Sequence, residues 1–367
     1  MGRYVALAVT AFVLSSAGCS SSSAPGSGVR PQAVSFHHPD EVNKAGGFMA
    51  LADRRIFAAM AFVNATGYDE EFPGYSMHPV RVKVRRELEK RLADKPEKLK
   101  AYRDYYENVI VKGVPLFAYK SFVLTLSADY PFGRTRPDQE LAYPYTAKAL
   151  QDLPQMLNDF WVTVNLGDLW EQVKPDYVAE IQKYDVDKMN RQMAFLWTYL
   201  RMERHDPATI VVQIPDLLSR HRGAMGAGYE QYYYSVDNPS SNNYGLNVHE
   251  YLHTVVNPLV QANYPRFRAK LDAYYMAGKD APAVQTYRHP VTFVFECMVG
   301  ALDRRIGARF ESDPKWIALR EEEAAYDTRA GLNLTLPFYK LLAEFEQSGK
   351  PFDQFLPTLL QQLPEYE

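Results

Sequence analysis

The stretch NVHEYLHTVVNP, residues 247–258, sets His249 and His253 four positions apart with Glu250 directly after the first. On a helix, residues four apart lie on one face with stacked side chains, so these two imidazoles can point at a single ion. Glu250 falls about 100° round such a helix and can reach over a metal without binding it. There it can hold and deprotonate a water molecule. Val248, Leu252, Val255 and Val256 supply the apolar backing of a helix sunk into an interior. Pro258 has no backbone N–H and is expected to stop the helix, with Asn257 serving the exposed carbonyls. The plainer alternative is two satisfied histidines on a packed helix. A third ligand would decide between them.

A catalytic zinc site takes three protein ligands and keeps a fourth position open. Downstream, VTFVFECMVGAL carries a single charge, Glu296. An unpaired carboxylate in such surroundings is very costly to bury, and a nearby cation would remove the cost. On a helix, Thr292, Glu296, Gly300, Asp303 and Gly307 share one face, opposite Val291, Val294, Phe295, Met298 and Leu302. The two glycines would let that face approach another helix closely; alternatively, the face meets solvent. His289 and Asp303 are weaker third-ligand candidates. His289 precedes Pro290 and falls outside the helix, and Asp303 reads better as a partner that orients a ligand.

The positioning elements follow from periodicity. From about Pro39 to Glu203, apolar residues recur at three- and four-residue spacing, which predicts a helical lobe. At Ala208 the period changes: ATIVVQI and GYEQYYYSV read as strands, with RHRGAMGAG as the turn between them. That glycine-rich turn lacks the lysine-serine/threonine ending of a phosphate loop. SVDNPSSNN offers helix caps at Ser240, Ser241 and Asn242, and helices dominate again from Leu259. The expectation is an α+β fold, predominantly helical, with a small antiparallel sheet and a motif helix. Its division is a leader at 1–18, a flexible tether at 19–33, a helical lobe at 34–203 and a second lobe at 204–367.

Composition excludes some partners. The 367 residues are 47% apolar and 23% charged, as in an ordinary globular protein. Forty-one basic against forty-four acidic residues give a net charge of −3, with no basic block to neutralise phosphates, so nucleic acid is not an expected partner. At the N-terminus Arg3 precedes an apolar run, Tyr4 to Leu14, too short to span a bilayer and suited to an export signal. Ser-Ser-Ala-Gly-Cys then resembles the lipobox of bacterial lipoproteins, with Ser16 where leucine is usual. The resemblance implies cleavage before Cys19 and lipidation of its sulfur, and two or more acyl chains suffice for stable anchoring. An ordinary secretory signal is the alternative. Of the two cysteines, Cys297 would then be a free thiol acting as a small buried hydrophobe. His37 and His38, near the tether, are read as solvated.

Taken together, the His249–Glu250–His253 pattern and the distant Glu296 resemble zinc metallopeptidases of the zincin group, in the gluzincin branch typified by thermolysin-like enzymes. More narrowly, the motif followed by Asn-Pro after a tyrosine-rich strand is similar to a family of bacterial exported lipoproteins, over about Val34 to Phe310. The resemblance implies a zincin-like catalytic lobe and one Zn2+ held by His249, His253 and Glu296. It implies Glu250 as general base and a peptide or protein substrate paired to an edge strand, the role GYEQYYYSV would fill. Tyr287, His289 and Tyr326 are candidates for stabilising the oxyanion. Thermolysin-like enzymes place an aspartate four residues after the glutamate ligand; here that position is Gly300. The implied location is the bacterial cell envelope, on the outer membrane or periplasmic face where the cell has one. A non-catalytic envelope lipoprotein, binding peptide or glycan on an aromatic groove with a structural metal or none, is the competing reading.

Overall fold

The computed structural model describes residues 47–71, 74–203, 210–221, 224–229, 231–239, 248–285, 287, 289–311 and 313–366, with the backbone of 42–45. Cys19, the tether, His37, His38 and the caps Ser240, Ser241 and Asn242 lie outside the described residues. No described helix is long and apolar enough to cross a membrane.

In the strands every second side chain turns to the same face, and the two faces enter different cores. The sheet is built from β1 (Val42–Ala45), β2 (Phe48–Leu51), β3 (Ile210–Pro215), β4 (Ala224–Tyr229) and β5 (Tyr232–Asp237), in the order β1-β2-β3-β5-β4. One face presents Met49, Leu51, Val212, Ile214, Met225, Ala227, Tyr234 and Val236 to a first core. The other presents Phe48, Ala50, Val211 and Tyr233 to a second. Helices α1 (Arg54–Thr66), α2 (Pro79–Leu92), α3 (Pro96–Tyr105), α4 (Leu116–Val123), α5 (Thr146–Ala149), α6 (Leu153–Thr163) and α7 (Leu166–Ile181) build the first core. Helices α8 (Val186–Leu200), α9 (Val248–Gly278), α10 (Pro290–Glu311), α11 (Pro314–Arg329), α12 (Thr335–Ser348) and α13 (Phe352–Gln362) build the second. The fold is therefore α+β and predominantly helical. Because α8 and half of β2 belong to the second core, the two cores do not follow a single cut in the sequence near residue 203.

Local chemistry fixes the joints between these layers. Asp53 caps α1 by accepting from the N–H groups of Arg55 and Ile56, at 2.8 and 3.2 Å, satisfying donors the helix cannot. Its other oxygen pairs with Arg55 at 2.7 Å, and Arg55 donates onward to the carbonyls of Leu124 and Leu126, tying the end of α4 to the start of α1. Helix α10 is buried on nearly every side through Ile306. It packs against α8, α9, α11 and α12.

Three expectations are corrected. First, the sheet is mixed: β1–β2 and β4–β5 are antiparallel, whereas β2–β3 and β3–β5 are parallel. After β3 the chain runs out to the edge and returns, so β5 slots between β3 and β4, and a strand from residues 48–51 joins from far away in sequence. Second, the glycine-rich segment is from Ala224 onward the edge strand β4 rather than a turn, and the tyrosine-rich run is split between β4 and the interior strand β5. Gly226 explains it: a Cβ there would stand 2.1 Å from the Tyr233 hydroxyl, so only glycine lets the tyrosine lie across this strand. Third, Pro258 does not stop the motif helix, which runs on to Gly278 with Pro258 and Pro265 inside it. Both prolines are exposed, so water can serve the carbonyls of Thr254 and Gln261 that they leave without an amide partner.

Gly226→Ala should destabilise the protein by about 1–3 kcal/mol, the usual cost of overpacking. Urea unfolding of the two proteins side by side measures it, and equal midpoints would contradict the packing of Tyr233 on β4.

Candidate metal centre

The first turns of α9 carry His249, Glu250, His253 and Asn257, and the second turn of α10 carries Glu296. Helix α10 starts where it does because the His289 carbonyl accepts the N–H groups of Thr292 and Phe293, at 3.1 and 3.2 Å. The packing of α9 on α10 then brings the two histidines onto the glutamate. His249 Nε2 lies 3.5 Å from Glu296 Oε2, and His253 Nε2 lies 3.4 Å from Glu296 Oε1. The imidazoles stand edge to face, 5.1 Å apart at 76°.

Those separations carry the chemistry. Donors held at about 2.1 Å round one tetrahedral ion are about 3.4 Å from each other, which is what the two histidine–glutamate distances show. His249 Nε2, His253 Nε2 and Glu296 Oε1 are all buried with no hydrogen-bond partner, an arrangement proteins avoid unless something else satisfies the atoms. His249, His253 and Glu296 can therefore hold a metal ion, and one ligand atom from each falls within 4.8 Å of the others.

The surroundings fix the ligands in place. His253 Nδ1 faces Asn257 Oδ1 at 3.1 Å. An amide oxygen only accepts, so it places the proton on Nδ1 and leaves the Nε2 lone pair for the ion. Tyr287, 2% exposed, hydrogen-bonds the Glu296 carboxyl group. His249 is the more open ligand, its side chain 20% exposed against 3% for His253, which marks the side from which solvent and ligand arrive. Burial raises Glu296 to about 7, opposed by His253 and by the Tyr287 hydrogen bond. Burial also pushes His253 downward, opposed chiefly by Glu296. A divalent cation would reverse the first tendency and reinforce the second, since it favours the carboxylate and the neutral imidazole together.

Glu250 is 3% exposed and is not among the three clustered donors. Burial raises it to about 7; His249 opposes that shift, while Glu296, Asp237 and Asp303 reinforce it. A buried carboxyl group next to the first of these histidines, and not one of the clustered donors, is placed to take and return a proton. Asp303, half-buried two turns beyond Glu296, acts on Glu250 through space and is not one of the clustered donors. His289 is exposed, and its contribution is the helix-capping carbonyl. Tyr287 works behind Glu296, and Tyr326 is 39% exposed on α11. Cys297 is fully buried.

Several neighbours escaped the sequence reading. Burial and then Glu250 raise the hydroxyl of Tyr233, and Glu250 also contributes, after burial and Tyr145, at Tyr143. Tyr143 arrives from the first core across about a hundred positions, with no local signal. Asp237 could have been noticed, because it continues the alternation of a strand onto the face that meets α9. Arg304 pairs with Asp327 at 2.5 Å and donates to the Gly300 carbonyl at 2.8 Å. The guanidinium thus crosses the position where thermolysin-like enzymes carry an aspartate.

Two histidines and one carboxylate, set between helices beneath a mixed sheet, thus form a group that could hold a metal ion. In comparisons with protein-family models, with curated proteins and with solved structures, none matches this chain.

Two measurements test the centre. Wild-type protein should bind one divalent ion tightly, Glu296→Gln should lose that binding, and Asn257→Ala should weaken it about 10–100-fold in chelator competition. The second concerns Asp237, which burial raises to about 7 against the pull of Gln213 and Lys120. Its folded value lies above its unfolded one, so the folded state holds the extra proton and stability falls as pH climbs from about 4 to about 7. In Asp237→Asn the decline measured by denaturant unfolding across that window should be shallower.

Proposed function

We propose that the protein is a zinc-dependent peptidase of the bacterial cell envelope, anchored by lipid on Cys19. The observation that carries the catalytic part is the convergence of three partnerless buried ligand atoms with Glu250 buried alongside. A set of two imidazoles and one carboxylate suits zinc, whose catalytic sites take three protein ligands and keep a fourth position for water. The same donor set serves iron in oxygenases, but such chemistry has no use for a buried, non-ligating carboxyl group next to the first ligand. The anchoring part rests on the lipobox-like Ser-Ser-Ala-Gly-Cys sequence alone.

Bound here, the ion would supply Lewis acidity, polarising the scissile carbonyl and acidifying a water molecule. The chain's residues do the rest. Glu250 accepts the proton of the attacking water and hands it to the leaving amine. Asn257 and Tyr287 hold His253 and Glu296 in register, so the geometry is set before the substrate arrives. The substrate strand is offered β4, the edge strand whose outer side has no partner strand among the described residues. There Gly226 and Gly228 put no side chain on the face turned to α9, and an extended peptide can add as a further strand. The interior position of β5 removes it from that role.

Glu250→Gln should bind the metal as wild type does and lose at least about 100-fold in peptide hydrolysis. Metal content by mass spectrometry and cleavage of a mixed peptide library read the two halves separately. Hydrolysis that survives in Glu250→Gln would refute the proposed base. Zinc bound stoichiometrically with no cleavage by wild type would favour a non-catalytic binding role.

A further inference from the structure

On the sheet face turned toward α9, three polar side-chain atoms are buried without a hydrogen-bond partner: Gln213 Oε1, Tyr233 Oη and Ser235 Oγ. Their residues are 1%, 1% and 0% exposed. They are neighbours by register. Gln213 stands beside Ser235 in the parallel β3–β5 pair, and Tyr233 precedes Ser235 by two on the same face. A buried polar atom left unpaired forfeits its hydration without return, so a contiguous group of three marks a place prepared for something outside the described chain.

The group adjoins the proposed chemistry. Tyr233 packs edge-on against Tyr251, the residue after Glu250, with ring centroids 5.2 Å apart. Tyr233 and Asp237, which flank Ser235, both interact electrostatically with Glu250. An approach exists at Gly228, the exposed partner of Tyr233 across the β4–β5 pair. Among the described residues, no atom lies within 4 Å of where a Cβ would stand there.

Donor and acceptor capacity then narrows the ligand. The two hydroxyls can each donate or accept. Gln213 offers its unpaired Oε1 as an acceptor, while its Nε2 donates to Asp237 Oδ1. An anionic group would face Asp237 and Glu250. A cationic group would find Asp237 already engaged by Gln213 and Tyr184 and would lose its own hydration. What remains is a neutral group that both donates and accepts.

We infer that Gln213, Tyr233 and Ser235 form a specificity pocket for a neutral hydrogen-bonding side chain, an amide or a hydroxyl, on the peptide held beside Glu250. This rests on the peptidase reading and adds the class of substrate. A site built to hydrogen-bond a substrate group rejects the isostere that lacks it, because its own polar atoms stay unpaired.

The test uses zinc-loaded full-length protein and its Ser235→Ala and Gln213→Leu variants. The substrates are peptide pairs from the library that differ only as Thr against Val or Asn against Leu, scanned along the sequence. Wild type should favour the polar member at one position near the cleaved bond by at least about tenfold in kcat/KM. Ser235→Ala should bring that preference to within about twofold. Its melting temperature should be equal or higher, since it removes a hydroxyl that has no partner. Cleavage without preference, or a preference kept by both variants, overturns the pocket and leaves the peptidase reading standing. A lower melting temperature with unchanged preference means the atoms serve an internal water only, and also overturns it. If zinc-loaded wild type cleaves no peptide, the peptidase reading fails and the pocket falls with it.

Discussion

A carboxylate buried between two imidazoles is the constraint on which the second core is organised. Glu296 sits on a helix otherwise lined by Phe293, Val294, Phe295, Cys297, Met298 and Val299, all buried. Only a partner of opposite charge makes that position tolerable in its ionised form. The two histidines face it at 3.5 and 3.4 Å, and the three side chains together form a group that could hold a cation. The length of α9, the burial of α10 and the capping of α10 by the His289 carbonyl all serve to keep three atoms pointed at one spot.

The sheet does a second job by separating two kinds of interior. Its first-core face is apolar and aromatic, and polar groups buried with the helices packed on it pair with one another, as in Asp53–Arg55, Lys120–Asp216 and Ser121–Tyr229. Its other face is apolar only at Phe48, Ala50 and Val211 and becomes polar along Gln213, Tyr233, Ser235 and Asp237, where it meets the ligand helix. Such a gradient across one sheet gives the rigidity of a packed layer on one side and adaptable hydrogen bonding on the other. Functional groups carried on regular strands are held more precisely than groups on loops.

What the sequence revealed and what it hid divide along a physical line. The ligand spacing on α9 and the lone charge of Glu296 were legible because each is a violation of local pattern within a single element. The predominantly helical α+β class was legible from the change of period at Ala208. The strand order was not, since β2 joins β3 across about 160 positions and nothing local encodes the partner. Gly226 and Gly228 read as a turn because glycine is a common breaker, whereas here their missing side chains make room for Tyr233 and an open face. Pro258 read as a stop because the side it faces could not be known, and a proline turned to water is tolerated where a buried one is not. Tyr143 reaches the site from the opposite core, beyond any local signal.

Helix α9, 31 residues long, spans about 46 Å at the usual rise, with the ligands at one end. The other end is held by the last described residues: Lys270 donates to the carbonyls of Gln361 and Leu363, and Tyr274 to that of Pro364. A chain emerging from a ribosome or a translocon with its N-terminus first can gather most of the first core before any ligand has appeared. The rod that bears the histidines gains its far support only after residues 361–364 have followed. Vectorial synthesis thereby postpones the joining of His249, His253 and Glu296 until the walls that confine them stand.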